Sequence, residues 1–559
     1  MAFETVARLS DLPVGSLRLA RVDGHRLCLV RTGDGVFALD NACPHEGYGL
    51  TTGDLDGDEL TCEWHNWRFR VSDGRCTLGE EDVVSHEVSV DGDEVRVRLT
   101  RPDPARLRAG LTASLRRGID NGYVGQISRD VVRLLRADED PAQLVWEAVA
   151  WGAPRAEFGF GHALASATDC LALVDRYEGD HRALPVVQAI AGIAEVERRR
   201  PVRPVPEPVR ALPDRPGQAF RALVEQGWDR ADEAEALLRG AIEAGLGPNE
   251  LRPWLVGVVA DHHLGYGHGA IYLQKAFELL DRLGWERAPT VLPHLVIAHL
   301  AMTREDRLPY MRGFVRALAD VDLAALADAE IQPGWTDDGS LRTALLRGRA
   351  DEVVPAAVRA VHTGAGIEGL IGAVSSAVSE RLLRYDPAVE RDHHADFGWL
   401  DITHGLTYAS AARWAWRAER GPDAARLALW TAFLASYSGR RGYAAVVEPP
   451  LEPDGADLPA AIAAGRFDES ARAALAGDPD DVAAQLVAAA LDDHAGSFIV
   501  AAHVVKTTGA ALSETAATGS RLPLAAAARF MTAPRKERFV TGNVIRSIDF
   551  LSGKGPAEE

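Results

Sequence analysis

Hydrophobic residues change their spacing once along this chain, and that change sets the class of fold on either side of it. From Leu17 to about Thr100, apolar and polar residues alternate in short runs, SLRLARV, RLCLVRT, VFALD, HEVSV and EVRVRL, broken by DG, GDG and DGDE turns. A period of two with glycine-rich breaks predicts a small all-β domain. Beyond the RPDPAR junction at Arg101–Arg106, Ala and Leu dominate and apolar residues recur every three to four positions, as in ALVEQGWDRADEAEALLRGAIEAG. That is the helical period. The expected architecture is multidomain, with an all-β domain over residues 1–102 followed by a large all-α domain over 103–559. The Pro-rich stretch Pro201–Gly217 suits neither helix nor central strand and is expected as an extended surface connection within the helical part.

A chain of 559 residues exceeds what one core usually organises. Its 47% hydrophobic content excludes a disordered chain. With 81 acidic against 61 basic residues the net charge is -20, which argues against a nucleic-acid partner. The opening MAFETVARLSDLPVGSL lacks a basic-then-apolar leader, and no run of eighteen apolar residues appears. A cytoplasmic protein with no membrane partner is expected. Five cysteines cannot staple so long a chain, so any clustering among them points to metal or chemistry.

Such clustering occurs within the β region, in CPHEGYGLTTGDLDGDELTCEWHNWRF. Cys43 and His45 stand two apart, and Cys62 and His65 follow in a C-x-H-x16-C-x2-H pattern. Two thiolates and two imidazoles on paired loops suit a [2Fe-2S] cluster with one iron held by sulfur and the other by histidine. The same donors suit zinc, but zinc fingers favour C-x2-C and H-x3-H pairs. The motif resembles the Rieske domains of ring-hydroxylating oxygenases and their ferredoxins, down to Trp64, Trp67, Phe69 and the Asp73-Gly74 turn. Respiratory Rieske proteins add a cysteine to each ligand loop, where this chain has Tyr48 and Glu63. The resemblance therefore implies the lower-potential type that donates single electrons. Cys28 and Cys76 lie outside the motif and read as packed free thiols.

Such a cluster binds no substrate, so a second redox centre is expected in the helical part. His263 with His268, and His294 with His299, have the H-x4-H spacing of a facial-triad iron, but without the usual preceding acid, since Ala260 and Val291 stand there. Another pattern places His162, His268, His362, His404 and His503 each beside small, apolar helical residues. Small residues let helices approach closely, so several imidazoles could converge on one metal. Each alone reads more readily as a core histidine, and the set together as a metal site. The chain has four lysines, and where it needs positive charge it otherwise uses arginine. Yet Lys506 sits in the apolar stretch FIVAAHVVKTTGAAL, three residues after His503 and on the same helical face. A buried lysine tends to become neutral and can then take up CO2 as a carbamate, an oxygen ligand for iron. The plain alternatives are a lysine reaching water or pairing with Asp492 or Asp493.

The segments HHLGYG (262–267), THGLTYASAARW (403–414) and AHVVK (502–506) resemble the questin oxidase-like family, over about residues 120–535. That resemblance implies an all-helical domain with a mononuclear non-heme iron held by four histidines and a carboxylated lysine. Carried onto matching positions, the ligands are His162, His263, His404, His503 and Lys506, with His268 as the alternative to His263. The family's HPxIHxGYG element carries a further histidine where this chain has Val259. The glycines of HLGYGHG leave the choice between His263 and His268 open. His299, His394 and His494 are candidate bases around the site, or ordinary surface or core histidines. Tyr266, Tyr272, Tyr408 and Trp414 are candidate pocket walls, or simply core.

Together these readings predict a Rieske-containing non-heme iron oxygenase that uses O2 to hydroxylate or cleave a small aromatic, polycyclic or quinone-like molecule. Without a G-x-G-x-x-G after a strand, a separate NAD(P)H-dependent reductase is implied. A homo-oligomer stays open. The alternatives are a redox carrier or sensor with a helical partner-binding domain, a facial-triad oxygenase on an antiparallel sheet, and a metal-dependent hydrolase.

Overall fold

The computed structural model describes residues 2–395, 397–439, 452–492, 496–535 and 540–551. His494 and Asp493 lie outside the described residues. Two compact units divide at 139/140.

In the first unit the alternating runs form β1 (Glu4–Arg8), β2 (Leu17–Val22), β3 (His25–Arg31), β4 (Val36–Asp40), β5 (Asp54–Asp56), β6 (Glu59–Thr61), β7 (Arg68–Arg70), β8 (Cys76–Leu78), β9 (Ser85–Asp91) and β10 (Glu94–Arg98). They pair antiparallel in a six-stranded sheet, β1-β10-β9-β4-β3-β2, and a four-stranded sheet, β5-β6-β7-β8. Alternation along β3 serves two cores. Leu27 and Leu29 join Val22, Val95 and Val97 on one face, while Cys28 and Val30 meet Leu60, Phe69 and the ligand-loop cysteines on the other. Cys28 is thus fully buried core, and Cys76 packs at the edge of the same cluster.

Two helices, Pro104–Asn121 and Val124–Arg136, follow the junction and belong to this first unit rather than to the second. Asp103 caps the first, accepting from the Arg106 amide at 2.8 Å. Ion pairs fasten both helices to the loop after β8: Arg117 to Glu80 at 3.0 Å and Arg133 to Glu81 at 2.5 Å. The compact unit therefore extends past the expected boundary at 102. Helical period alone carries no information about which neighbour a helix will pack against.

The second unit is helical throughout its regular structure; among its described residues the only β pairing is an isolated bridge, Leu264 to Arg304. This excludes the antiparallel catalytic sheet of the facial-triad alternative. The Pro-rich stretch is extended until Pro216, which opens the helix Pro216–Gln226 as its first residue. Four helices, His162–Leu173, His268–Leu283, Trp399–Ala418 and Phe498–Thr518, pack in a closed ring, each against two others. Small residues are buried along all four, Ala165, Gly269, Gly405 and Ala502 among them. No described helix is long and apolar enough to cross a membrane.

Candidate functional site

In the first unit the two ligand loops repeat one backbone design. Cys43 N–H donates to the Tyr48 carbonyl and Cys62 N–H to the Trp67 carbonyl, each at 2.8 Å. The Gly47 and Asn66 amides close the loops back onto the Cys43 and Cys62 carbonyls at 2.8 and 3.2 Å. Both closing residues adopt positive φ, 79° and 58°, as glycine and asparagine tolerate best. The loops thereby face each other. Rings of His45 and His65 lie 4.4 Å apart, and His45 stacks on Trp67 at 4.8 Å.

These donors fit a [2Fe-2S] cluster. His45 Nδ1 is buried without a hydrogen-bond partner, an arrangement that is costly unless a ligand meets it. His65 turns its Nε2 toward Glu46 at 3.8 Å. Cys43 and Cys62 are 3% and 1% exposed, and all five cysteines are unpaired. Burial, with Cys62 beside it, pushes the Cys43 thiol up to about 12, so only a bound cation would hold it as thiolate. On the outer side, Tyr123 donates to Glu46 at 2.6 Å, and Arg129 donates to the carbonyl of His45 itself. Sequence reading missed Arg129; its only signal was an arginine on a strongly amphipathic helix.

In the second unit, the helix ring brings four histidines together. His162 and His268 are the first residues of their helices, and His404 and His503 each sit sixth in theirs. One nitrogen from each lies within 4.8 Å of the others. His268 Nε2 is 3.1 Å from His162 Nε2, and His503 Nε2 is 3.2 Å from His404 Nε2. The outer nitrogens are tied down: His268 Nδ1 donates to the Gly265 carbonyl at 2.5 Å and His503 Nδ1 to Ile499 at 2.7 Å. A carbonyl accepts only, so these rings carry their proton on Nδ1 and present a lone pair on Nε2. Tyr272 hydroxyl bonds His162 Nδ1 at 2.9 Å.

Lys506, one turn after His503, is 1% exposed and its Nζ has no hydrogen-bond partner. Burial lowers its pKa to about 8, against the opposing pull of Asp169, which is itself bound to Lys275 at 2.9 Å. Burial, deepened by Lys506, holds His268 and His503 down at about 3. His162 and His404 lie well below the ordinary range for the same first cause. The result is four neutral imidazoles beside a buried amine of lowered pKa, and the cluster's described residues include no carboxylate. This donor set fits a cation.

His263 does not join them. The helix Pro248–Asp261 ends, and Gly265, Tyr266 and Gly267 run through φ of 49°, 59° and 91° before His268 opens the next helix. That reversal sends His268 into the cluster and leaves His263 in a box of Tyr408, Trp430 and Phe433, with no hydrogen bond at either ring nitrogen and Glu305 3.7 Å from Nε2. His299 Nε2 donates to the Gly269 carbonyl at 3.0 Å, and His294, His362 and His394 also stand outside the cluster. Tyr266 approaches His404 at 5.9 Å between ring centroids, whereas Trp414 packs on Phe277.

Comparison with known proteins bears on the first unit. Residues 3–86 match the Rieske [2Fe-2S] domain family. Over 95 residues, 17% of this chain and 91% of that protein, the chain is 30% identical to the ferredoxin component of naphthalene 1,2-dioxygenase/salicylate 5-hydroxylase systems from Ralstonia sp.. It is 40% identical over 68 residues, 12% of this chain and 15% of that protein, to cholesterol 7-desaturase nvd of Xenopus laevis. Among solved structures, the ferredoxin of carbazole 1,9a-dioxygenase from Nocardioides aromaticivorans IC177 is 33% identical, covering 18% of this chain and all of that one, with a TM-score of 0.17. The family match over residues 3–86, with the ferredoxin component covered over 91% of its length, places the chain in the Rieske [2Fe-2S] family through those residues.

Proposed function

We propose that the chain is a Rieske-containing non-heme iron oxygenase whose helical unit, resembling the questin oxidase-like family, oxidises a small polycyclic aromatic or quinone-like molecule with O2. The observation that carries this reading is the convergence of four imidazole nitrogens beside a buried, unpartnered lysine. Cys43, His45, Cys62 and His65 would hold the [2Fe-2S] cluster; His162, His268, His404, His503 and Lys506 would hold the mononuclear iron. When bound, the cluster supplies single electrons and the iron supplies a centre for activating O2.

The chain's own residues prepare that centre. Carbonyls of Gly265 and Ile499 fix two ring tautomers, so their Nε2 lone pairs point inward before any metal arrives. Tyr272 holds His162 from outside. The amine of Lys506, neutral in an appreciable fraction near pH 8, attacks the carbon of CO2 and loses one proton to give a carbamate. Its oxygens would bring the negative charge that the histidines lack. The Rieske relatives belong to systems with separate components, and a separate NAD(P)H-dependent reductase is the proposed source of electrons here.

Iron and acid-labile sulfide per chain, measured on anaerobically purified protein, test the reading. Three irons and two sulfides, falling to two irons in His404→Ala and in Lys506→Ala, are expected. Two irons throughout, with no other bound metal, would leave an electron carrier or sensor with a large recognition unit.

A further inference from the structure

Of the four histidines, His162 and His268 are only partly buried, and His268 lines a cavity of about 440 Å³. His268 and Tyr272 form its inner end. Phe158, Phe160 and Met302 supply apolar walls. The Phe160 wall is fixed, because its amide donates to the His294 carbonyl at 2.8 Å. Gly159, at φ 75°, packs so close that a Cβ would meet that same oxygen at 2.0 Å.

Three charged side chains interrupt this lining, Glu157, Arg200 and one buried carboxyl. Glu197, the last residue of the helix Ala183–Glu197, is 4% exposed and its Oε2 has no hydrogen-bond partner. The nearest cation, Arg200 Nε, stands 3.8 Å away and also faces Glu157 at 3.5 Å. Burial pushes the carboxyl up to about 7, so its protonated form, a hydrogen-bond donor, is well populated near neutrality. A buried, unbonded carboxyl in the wall of a ligand-sized and mainly apolar cavity is the kind of group that fixes a ligand's orientation.

We infer that this cavity is the substrate site of the four-histidine centre and that Glu197 selects an oxygenated planar aromatic. Its ring would lie against Phe158, Phe160 and Met302, its hydroxyl or carbonyl oxygen on the Glu197 carboxyl, and its far edge toward His268. What becomes of the ring rests on the oxygenase reading above, but the binding does not.

Affinities of 1-naphthol and naphthalene for the full chain, followed by fluorescence in the wild type and in His404→Ala, test this. In both proteins 1-naphthol should bind ~10-fold or more tightly than naphthalene, the discrimination expected when a buried polar group meets its partner. Glu197→Leu should abolish the difference while leaving naphthalene unchanged, and Glu197→Gln should keep most of it. Ala298→Trp, which fills the cavity, should remove binding of both. Equal affinities in the wild type, no binding of 1-naphthol, or discrimination that survives Glu197→Leu in a variant melting like wild type would overturn the inference. Discrimination without a third iron would sink the oxygenase reading and leave the cavity standing; a third iron without discrimination would do the reverse.

Discussion

Nε2 of His268 lies 3.1 Å from Nε2 of His162, although 106 residues separate them. His263, five positions before His268, faces a different set of neighbours altogether. His268→Ala is therefore expected to lose about one iron per chain. His263→Ala should keep that iron and instead lose ~2–4 kcal/mol of stability from the cavity left among Tyr408, Trp430 and Phe433. Metal analysis beside thermal melting separates the two, and an unchanged iron content in His268→Ala would remove it from the ligand set.

Lys506 has a buried Nζ and no partner, so its value lies in what it can become. Protein equilibrated with 13C-labelled bicarbonate should show a carbamate carbon by NMR that vanishes in Lys506→Met. Lys506→Glu, which carries its own carboxylate, should recover part of the iron that Lys506→Met loses. A carbamate signal that persists in Lys506→Met would move the modification elsewhere.

Gly267 holds φ at 91°, and a Cβ there would meet the Tyr408 ring at 2.7 Å. Gly267→Ala must disturb both, costing ~1–3 kcal/mol and shifting the start of the His268 helix. Reduced iron content together with a lower Tm is expected; full iron occupancy would show that the turn does not set the ligand.

Arg129 donates to the carbonyl of His45 and brings positive charge beside a candidate cluster ligand. Positive charge favours the reduced, more negative cluster, so Arg129→Gln should lower the midpoint potential by about a few tens of millivolts, a small part of the range such clusters span. The EPR signal of the reduced cluster should keep its shape, since no ligand changes. A potential that rises or stays fixed would contradict the placement of this charge.

Glu197 gives a pH signature. Its folded pKa of about 7 stands above the ordinary value of 4.5, so the folded chain binds this proton more tightly than the unfolded chain. Stability from this group is complete below the lower value and declines as pH rises through the window to 7, by as much as ~3 kcal/mol. Glu197→Gln should remove that decline, so the Tm difference from wild type grows in the variant's favour between pH 5 and 8. A constant difference would mean the carboxyl is not held protonated.

Part of this arrangement is legible in the sequence, and for a physical reason. The C-x-H and C-x2-H pairs are local, so spacing alone puts Cys43 with His45 and Cys62 with His65 on tight loops. His503 and Lys506 were legible because one helical turn joins them. The choice between His263 and His268 was not, because three consecutive positive-φ residues obey no helical period. Nor was the attachment of the 104–136 helices to the β domain, which depends on Arg117 and Arg133 finding Glu80 and Glu81 across the fold. Glu197 left no trace in the sequence, because an unpaired carboxyl is defined by what surrounds it.

The spacing of the donors also sets an order of assembly. Cys43 through His65 leave the ribosome together, and the loops that hold them can close as soon as their two small sheets form. The helix ring joins residues from His162 to Lys506, so no shorter portion of the chain contains all of its donors. A cation at the four histidines would therefore need the chain through Lys506, whereas the Rieske loops need only its first hundred residues.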